Sequence, residues 1–259
     1  SNENNYMIWA FIKKCWQNGW LYKGDDVMPW CPRCATGISQ HEIATEGYQE
    51  LTHRTITLRF PLLSGGGDLP AGVKRASLLV WTTTPWTLTS NVAAAVGPGL
   101  TYVRVRQGDE VSILSKGTLH MLKGAYEVLG ELQGREMEGW TYSGPFDELE
   151  AANAPGGFTY LTRLIRGVQQ SAAQAHRVIL WDAVGEEEGT GIVHIAPGCG
   201  AEDFLLGKEN HLPLIAPLDE EGYFLNGFGW LAGKHVSEVA QPIFDELQGK
   251  SLLYRVEAY

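Results

Sequence analysis

The sequence has no excess of positive charge and no apolar run near the roughly 20 residues that a membrane-spanning helix needs. Its 20 Lys and Arg residues are outnumbered by 30 Asp and Glu, which gives a net charge of −10. We expect no membrane partner, and the polar N-terminus does not resemble a signal peptide. The chain also lacks the basic surface of a free-standing nucleic-acid-binding protein, so contacts with phosphates would need a local patch or another part of a larger protein.

Cysteine is also scarce, with four residues in a chain of 259. This is far below the density of the small secreted domains that disulfides hold together, so a disulfide framework is not expected. The composition instead favours a reducing, cytoplasmic setting. Hydrophobic residues make up 44% of the chain, which is enough for a packed core and argues against disorder.

Cys31 and Cys34 form the motif C-P-R-C, which is half of the ligand set of a structural zinc site. A complete site needs four ligands, and the chain has no second cysteine pair of this kind. His41 and His53 are candidates whose spacing does not fit a zinc knuckle. We therefore predict an orphaned half-site without metal, and no other cofactor. A thioredoxin-like redox motif is the alternative, which is disfavoured because no helix-forming stretch follows Cys34.

Short apolar and β-branched runs dominate the chain, and a few amphipathic helical patterns lie between them. This pattern predicts an α+β fold in which peripheral helices surround a β-barrel-like core. We expect the apolar side of the first helix, with Cys15, to lie in the core, and residues 139–157 to form a long loop. The predicted strands are residues 55–60, 76–80, 92–96, 102–106, 111–114, 177–184, 192–195, 212–218 and 252–256. The predicted helices are residues 8–16, 118–122, 201–210 and 236–247.

Residues 189–203 read G-T-G-I-V-H-I-A-P-G-C-G-A-E-D. A Gly-Thr-Gly turn leads into a short β-branched strand that contains His194, and a Gly- and Pro-containing loop then precedes a helix. Asp203 falls in the first turn of that helix, where the helix dipole favours an ionised carboxylate. Acids begin many ordinary helices and a strand histidine is usually a core residue, so this stretch alone does not indicate a site.

Residues 81–91 read W-T-T-T-P-W-T-L-T-S-N and follow a predicted buried strand. Thr82, Thr83 and Thr84 bring several hydroxyl and backbone N–H groups into one small region, and Pro85 ends the strand. Threonine is also a good strand former, and the flanking tryptophans fit a core. By itself, this stretch is compatible with a purely structural role.

Together, these motifs resemble the editing domain of isoleucyl-tRNA synthetase, an insertion also called the connective peptide. The resemblance covers nearly the whole chain, and its main motifs are residues 81–88, Asn91, residues 189–197, G-x-E-D at 200–203 and C-P-R-C at 31–34. The editing domains of valyl- and leucyl-tRNA synthetases instead resemble T-T-R-P at the threonine run and lack the histidine of G-I-V-H.

The resemblance implies that an editing domain spans residues 51–249, while residues 1–50 and 250–259 connect it to the body of a parent synthetase. It also implies the fold shared by the valyl-, isoleucyl- and leucyl-tRNA synthetase editing domains. The H-I-G-H and K-M-S-K-S signatures of the synthetase body are absent, so the chain is not expected to charge a tRNA. Its expected activity is hydrolysis of the ester that joins valine to the acceptor end of tRNA(Ile). Its partners would be that tRNA end and the rest of the synthetase.

The resemblance assigns Asp203 to the α-ammonium group of the substrate. The threonines 82–84 and Asn91 are expected to bind the ester, the terminal adenosine and the attacking water.

His194 and Trp86 are expected to form the wall that excludes isoleucine. A covalent route through Cys199 and His194 is an alternative, which we consider weaker because Cys199 stands where the family has other residues. Attack by a water that the threonines and the ribose hydroxyl of the substrate position is preferred. Two other functions stay open: an editing domain of a valyl- or leucyl-tRNA synthetase, and a non-catalytic module that binds the tRNA end.

Overall fold

The computed structural model describes residues 1–24, 26–43, 52–159 and 167–258. Its α-helices are α1 (Asn2–Gln17), α2 (Gln40–Glu42), α3 (Glu150–Asn153), α4 (Ala172–Ala175), α5 (Ala201–Glu209) and α6 (Ala240–Gly249). Short 3-10 helices cover Pro85–Ser90, Lys116–Met121, Gly134–Met137, Gly229–Leu231 and Val236–Glu238. The strands are β1 (Trp30–Cys31), β2 (Thr36–Gly37), β3 (Arg54–Pro61), β4 (Arg75–Thr82), β5 (Ala93–Val96), β6 (Thr101–Gln107), β7 (Glu110–Ser115), β8 (Glu127–Gln133), β9 (Gly157–Phe158), β10 (Arg177–Leu180), β11 (Ile192–Ile195), β12 (Leu214–Ile215) and β13 (Leu253–Ala258).

One mixed sheet organises the domain, with its strands in the order β10-β5-β11-β4-β7-β6-β8. On the other edge of β4 lies β3, which in turn pairs with β13. The first part of β4, from Arg75 to Leu78, pairs in parallel with β7, whereas Trp81 near its end pairs with Val193 of β11. The sheet therefore divides along one edge of β4. This division brings the end of β4 next to β11.

The sheet curls into a half-barrel with few helices around it, which confirms the predicted α+β class with a β-barrel-like core. Ile56, Leu58 and Phe60 of β3 are fully buried on one face, as their alternation predicts. The polar residues of the alternating pattern would suit a solvent-exposed face, but Thr55 and Thr57 are buried as well. A second, smaller apolar cluster covers that side of the sheet; its members are Leu79, Val103, Val105 and Leu114.

The predicted long loop at residues 139–157 is a packed segment in the structure. Tyr142, Phe146 and Leu149 from this segment lie in the main core, and α3 forms within it. The Gly, Pro and Asn residues that suggested a loop alternate with these apolar anchors, so composition alone understates the burial. The sequence also gives no prediction of β8, all of whose residues are exposed or half-buried, because such a strand lacks a strong alternating signal.

The N-terminal helix α1 forms as predicted, but its apolar face is not buried. None of the residues of α1 is buried, Cys15 is only half-buried, and Phe11 and Trp16 are 69% and 65% exposed. At the other end of the chain, residues 253–258 form β13, which pairs with β3 of the main sheet. Of the helices in the described ranges, none has the length and apolarity to cross a membrane.

Candidate active site

A cavity of about 360 Å³ lies at the end of β4, beside β11. Its size falls in the lower part of the range for small-molecule sites. Most of the residues singled out in the sequence line this one cavity. They are Thr82, Thr83, Thr84, Trp86, His194 and Asp203.

The threonine run ends β4 and enters the 3-10 helix Pro85–Ser90. Thr84 is the residue before this helix, and Pro85 fits its first position because no backbone N–H is needed there. The backbone N–H of Thr84 donates a 3.1 Å hydrogen bond to Oγ1 of Thr82, which keeps the loop tight. The Oγ1 atoms of Thr83 and Thr84 are 3.2 Å apart.

The hydroxyl hydrogens of this loop determine how many hydrogen bonds it can donate to a ligand. Thr82 Oγ1 accepts from the Thr84 backbone, so its own hydroxyl hydrogen stays available. In the pair of Thr83 and Thr84, one hydroxyl donates to the other, and the acceptor keeps its hydrogen. The loop can therefore present two O–H donors to the cavity.

The Gly-Thr-Gly turn positions β11 beside this loop. Gly189 and Gly191 have φ values of +57° and +68°, which residues with a Cβ rarely adopt. A Cβ on Gly191 would also lie 2.3 Å from the Cβ of Ser115. After this turn, β11 covers Ile192–Ile195, the range that the sequence predicts.

His194 is buried in the wall of the cavity, with 9% of its surface exposed. Its Nε2 atom lies 2.9 Å from Oγ1 of Thr87. Burial lowers the pKa of His194 to about 4, so the imidazole is neutral at pH 7.

Asp203 reaches the cavity from the first turn of α5. Its Oδ1 accepts a 2.8 Å hydrogen bond from the backbone N–H of Ala196, the residue that follows β11. Gly200 is needed for this approach, because a Cβ there would lie 2.2 Å from Oδ2 of Asp203. Burial raises the pKa of the Asp203 carboxyl, and the Ala196 N–H partly offsets this. The helix dipole alone would lower this pKa. The pKa of Asp203 is raised instead, because desolvation of the carboxylate outweighs the favourable dipole.

The charge of the cavity is of one sign. Asp203 and Glu188 are the acids among its described lining residues, and that lining includes no Lys or Arg. Glu188 ends a run of three glutamates, residues 186–188, and it lines the cavity although its side chain is exposed. Such a cavity favours a cationic group over an anionic one.

Asn91 does not line the cavity, although the sequence grouped it with the threonines. It is 4% exposed, its Oδ1 accepts a 2.8 Å hydrogen bond from the hydroxyl of Tyr142, and its Nδ2 donates to the carbonyl of Ala93. Both ends of this side chain are thus engaged behind the cavity wall, where it fixes the end of the 3-10 helix Pro85–Ser90. This geometry places Asn91 behind the cavity lining, and its role in substrate binding stays a prediction.

Cys31 ends β1, Cys34 lies on the turn between β1 and β2, and neither lines the cavity. Within the described ranges, no three His, Cys, Asp or Glu side chains are grouped so that they could hold a metal ion. The described residues therefore do not complete a zinc site around this pair.

The arrangement does not favour the covalent alternative through Cys199. Cys199 lines the cavity, but burial raises the pKa of its thiol to about 12, so the thiolate nucleophile is suppressed at neutral pH. Its proposed base, His194, uses Nε2 for Thr87.

Sequence reasoning missed several residues of the lining. Thr87 is among them; it stands three residues after Thr84, a spacing that allows a hydroxyl to bond the earlier carbonyl. Trp181 and the turn after it also line the cavity. Their place follows from the pairing of β10 and of β11 with the two edges of β5, and no local sequence pattern predicts that pairing.

No family model matches the chain, but full-length relatives do. It is 38% identical to isoleucine–tRNA ligase of Thermus thermophilus over 253 residues, which are 97% of this chain and 22% of the relative. It is 35% identical to isoleucine–tRNA ligase of Pyrococcus horikoshii over 98% of this chain, and 34% identical to that of Clostridium tetani over 99%. The chain thus spans about a fifth of the length of the curated relatives it matches.

Solved structures give the fold. The structure of GlLeuRS-CP1 matches with a TM-score of 0.58 and 15% identity, over 78% of this chain and 99% of that one. The editing domain of the cytosolic leucyl-tRNA synthetase of P. knowlesi matches with a TM-score of 0.53 and 11% identity, over 80% and 97%. The chain therefore belongs to the isoleucine–tRNA ligase family, as a segment with the fold of a synthetase editing domain.

Proposed function

We propose that the cavity hydrolyses the ester bond of valine attached to tRNA(Ile), which is post-transfer editing. The observation that carries this proposal is the convergence of Asp203 and the threonine run, distant in sequence, on one acidic cavity. A synthetic site built for isoleucine cannot strongly reject valine, because one methylene is worth only about 1–3 kcal/mol, a figure for which this synthetase family is itself the established example. A second pocket that accepts valine and excludes isoleucine corrects the error.

Asp203 would bind the α-ammonium group of the aminoacyl ester. A cation that enters a half-buried pocket needs a fixed anion, since an unpaired charge there is costly. Its bond to Ala196 occupies Oδ1, so Oδ2 is the atom left to face a ligand. The absence of Lys and Arg from the described lining leaves this carboxylate unneutralised by the protein.

The threonine loop would act on the ester itself. Water attacks the carbonyl carbon, a new C–O bond forms, the bond to the ribose oxygen breaks, and the proton of the water ends on that oxygen, giving valine and tRNA. The hydroxyl donors of Thr82 and of the Thr83–Thr84 pair suit the negative charge that develops on the carbonyl oxygen. The ribose hydroxyl of the substrate can help to hold the water.

His194 and Trp86 would limit the size of the amino-acid side chain. His194 is neutral and buried, and Trp86 packs against the main core, so both are firm walls. A wall excludes an extra methylene by steric overlap, which attraction alone cannot do.

The body of the parent synthetase would supply what this chain lacks. The exposed aromatic side chains of α1 support a larger assembly, since such an apolar surface needs a partner. The net charge of −10 supports it as well, because an acidic chain leaves most contacts with the tRNA phosphates to other parts of the synthetase. We expect no aminoacylation by this chain alone.

The test is a deacylation assay with Val-tRNA(Ile), and Ile-tRNA(Ile) as the control substrate. Release of valine without release of isoleucine is the expected result. Binding of the tRNA end without hydrolysis would instead indicate a non-catalytic module. Preferential hydrolysis of Thr-tRNA(Val) or of a mischarged tRNA(Leu) would indicate a valyl- or leucyl-type editing domain, which the third threonine and His194 argue against.

A further inference from the structure

The hydroxyl of Thr87 lies between two groups that compete for its single hydrogen. Oγ1 of Thr87 is 2.8 Å from the carbonyl oxygen of Thr84 and 2.9 Å from Nε2 of His194. Thr87 and His194 are 7% and 9% exposed, so solvent has little access to either partner. These three residues join the threonine loop to β11 through side-chain chemistry as well as strand pairing.

Counting hydrogens selects one tautomer of the imidazole. If Nε2 carries the proton, it donates to Thr87, Thr87 donates to the Thr84 carbonyl, and both hydrogen bonds form. If Nδ1 carries the proton, Thr87 must donate to Nε2, the bond to Thr84 is lost, and a buried N–H remains without a partner. Buried donors are rarely left unpaired, so the Nε2–H form is favoured.

These hydrogen bonds also determine which ring nitrogens of His194 are available to a ligand. Nδ1 is buried and finds no hydrogen-bond partner among the described residues, and Nε2 is engaged by Thr87. Nδ1 is therefore not exposed to the cavity that His194 lines, and the bond to Thr87 occupies Nε2. His194 therefore offers a ligand neither an exposed Nδ1 nor a free Nε2, which suits a wall and not a proton carrier.

We propose that Thr87 is a positioning residue, which sets the tautomer and orientation of His194 so that the ring limits the size of the substrate side chain. The limit on substrate size rests on the editing function proposed above. The tautomer and orientation of the His194 ring rest on the hydrogen bonds alone. The low pKa of His194, which burial causes, is consistent with a ring that stays neutral in this place.

The first experiment reads the ring directly and needs no substrate. The domain has seven histidines, and a long-range ¹H–¹⁵N correlation spectrum of histidine-labelled protein separates protonated from bare ring nitrogens. His194→Gln identifies the signal of His194. The wild type should show the Nε2–H form, Thr87→Ser should retain it, and Thr87→Val, which keeps the shape but removes the hydroxyl, should lose it.

His176 is the internal control for folding. It is also buried, its Nδ1 lies 3.0 Å from the carbonyl of Val92, and it is not among the described residues that line the cavity. Unchanged His176 signals show that Thr87→Val is folded. An Nδ1–H form in the wild type, or an unchanged His194 spectrum in folded Thr87→Val, would overturn the proposal.

The second experiment measures selectivity as the ratio of Val-tRNA(Ile) to Ile-tRNA(Ile) hydrolysis. Thr87→Val should lower this ratio at least about tenfold, the low end of what one methylene is worth in this family. Thr87→Ser should stay close to the wild type, and His194→Ala should lower the ratio most. If Thr87→Val loses the tautomer yet keeps its selectivity, the positioning role is wrong. If the wild type hydrolyses neither substrate, the editing function fails, while the spectra still decide the contact between Thr87 and His194.

Discussion

The carboxylate of Asp203 and the backbone N–H of Ala196 are joined by a 2.8 Å hydrogen bond. This bond ties the first turn of α5 to the end of β11. It turns Asp203 toward the cavity, while its neighbour Glu202 is exposed. Consecutive helical residues point about 100° apart, so only one of the two acids can face the cavity.

We predict that loss of the threonine hydroxyls slows hydrolysis without unfolding the domain. Thr83→Ala should reduce the rate, and the triple replacement of residues 82–84 by Ala should reduce it more, because both hydroxyl donors are then removed. One donor that faces developing charge is typically worth about 100–1000-fold. Single-turnover deacylation and thermal unfolding, measured side by side, test this. Unchanged rates in the triple variant would remove the loop from the mechanism.

We predict that His194 makes the domain sensitive to mild acid. The pKa of His194 is about 4 in the folded state and near 6.5 when unfolded. A lowered pKa means that the unfolded state takes up a proton first, so the stability that this residue gives is present above pH 6.5 and is lost as the pH falls toward 4. The loss is on the order of 3 kcal/mol.

Denaturant unfolding of the wild type and of His194→Gln between pH 7 and 4 measures this loss. The difference in unfolding free energy between the two proteins should shrink as the pH falls through this window. A difference that stays constant with pH would show that the pKa of His194 is the same in the folded and the unfolded protein, contrary to its burial.

We predict that Asn91 acts on stability more than on substrate binding. Removing its side chain leaves the hydroxyl of Tyr142 buried without its partner, which should cost about 1–3 kcal/mol of unfolding free energy. A double-mutant cycle with Asn91→Ala and Tyr142→Phe should show strong coupling between the two. Loss of activity in Asn91→Ala at unchanged stability would instead make Asn91 a direct ligand.

We predict that the chain binds no stoichiometric zinc. Cys31 and Cys34 supply two ligands, and the described residues near them do not complete the set of four. Metal analysis of the purified chain tests this, with the variant in which both cysteines are replaced by Ser as the control. One zinc per chain that disappears in this variant would contradict it.

The sequence predicts the local features of the site well. The bounds of β11, the start of α5 and the end of β4 at the threonine run follow from β-branched residues, glycines and Pro85. These signals lie within a few residues of the elements they define, so they can be read without the fold.

Features that depend on distant pairing could not be predicted in the same way. The link from Thr87 to His194 needs β11 to lie beside β4 and β5, and 107 positions separate the two residues. The engagement of Asn91 by Tyr142 depends on the packing of a segment that its composition suggested to be a loop. For α1 the sequence predicts more burial than the structure shows. Its apolar face indicates a partner surface, which the described part of the chain does not provide.

The central claim is that the charge of Asp203 holds the ammonium group of the substrate. Its most direct test is the rate of Val-tRNA(Ile) hydrolysis by Asp203→Asn, which keeps the shape and the acceptor for the Ala196 N–H but removes the charge. Glu202→Ala and Glu188→Gln are matched controls, the first for a neighbouring acid outside the cavity and the second for the other acid of its lining. We predict that Asp203→Asn is folded and nearly inactive, that Glu202→Ala is active, and that Glu188→Gln loses much less than Asp203→Asn. Full activity of Asp203→Asn would contradict the account.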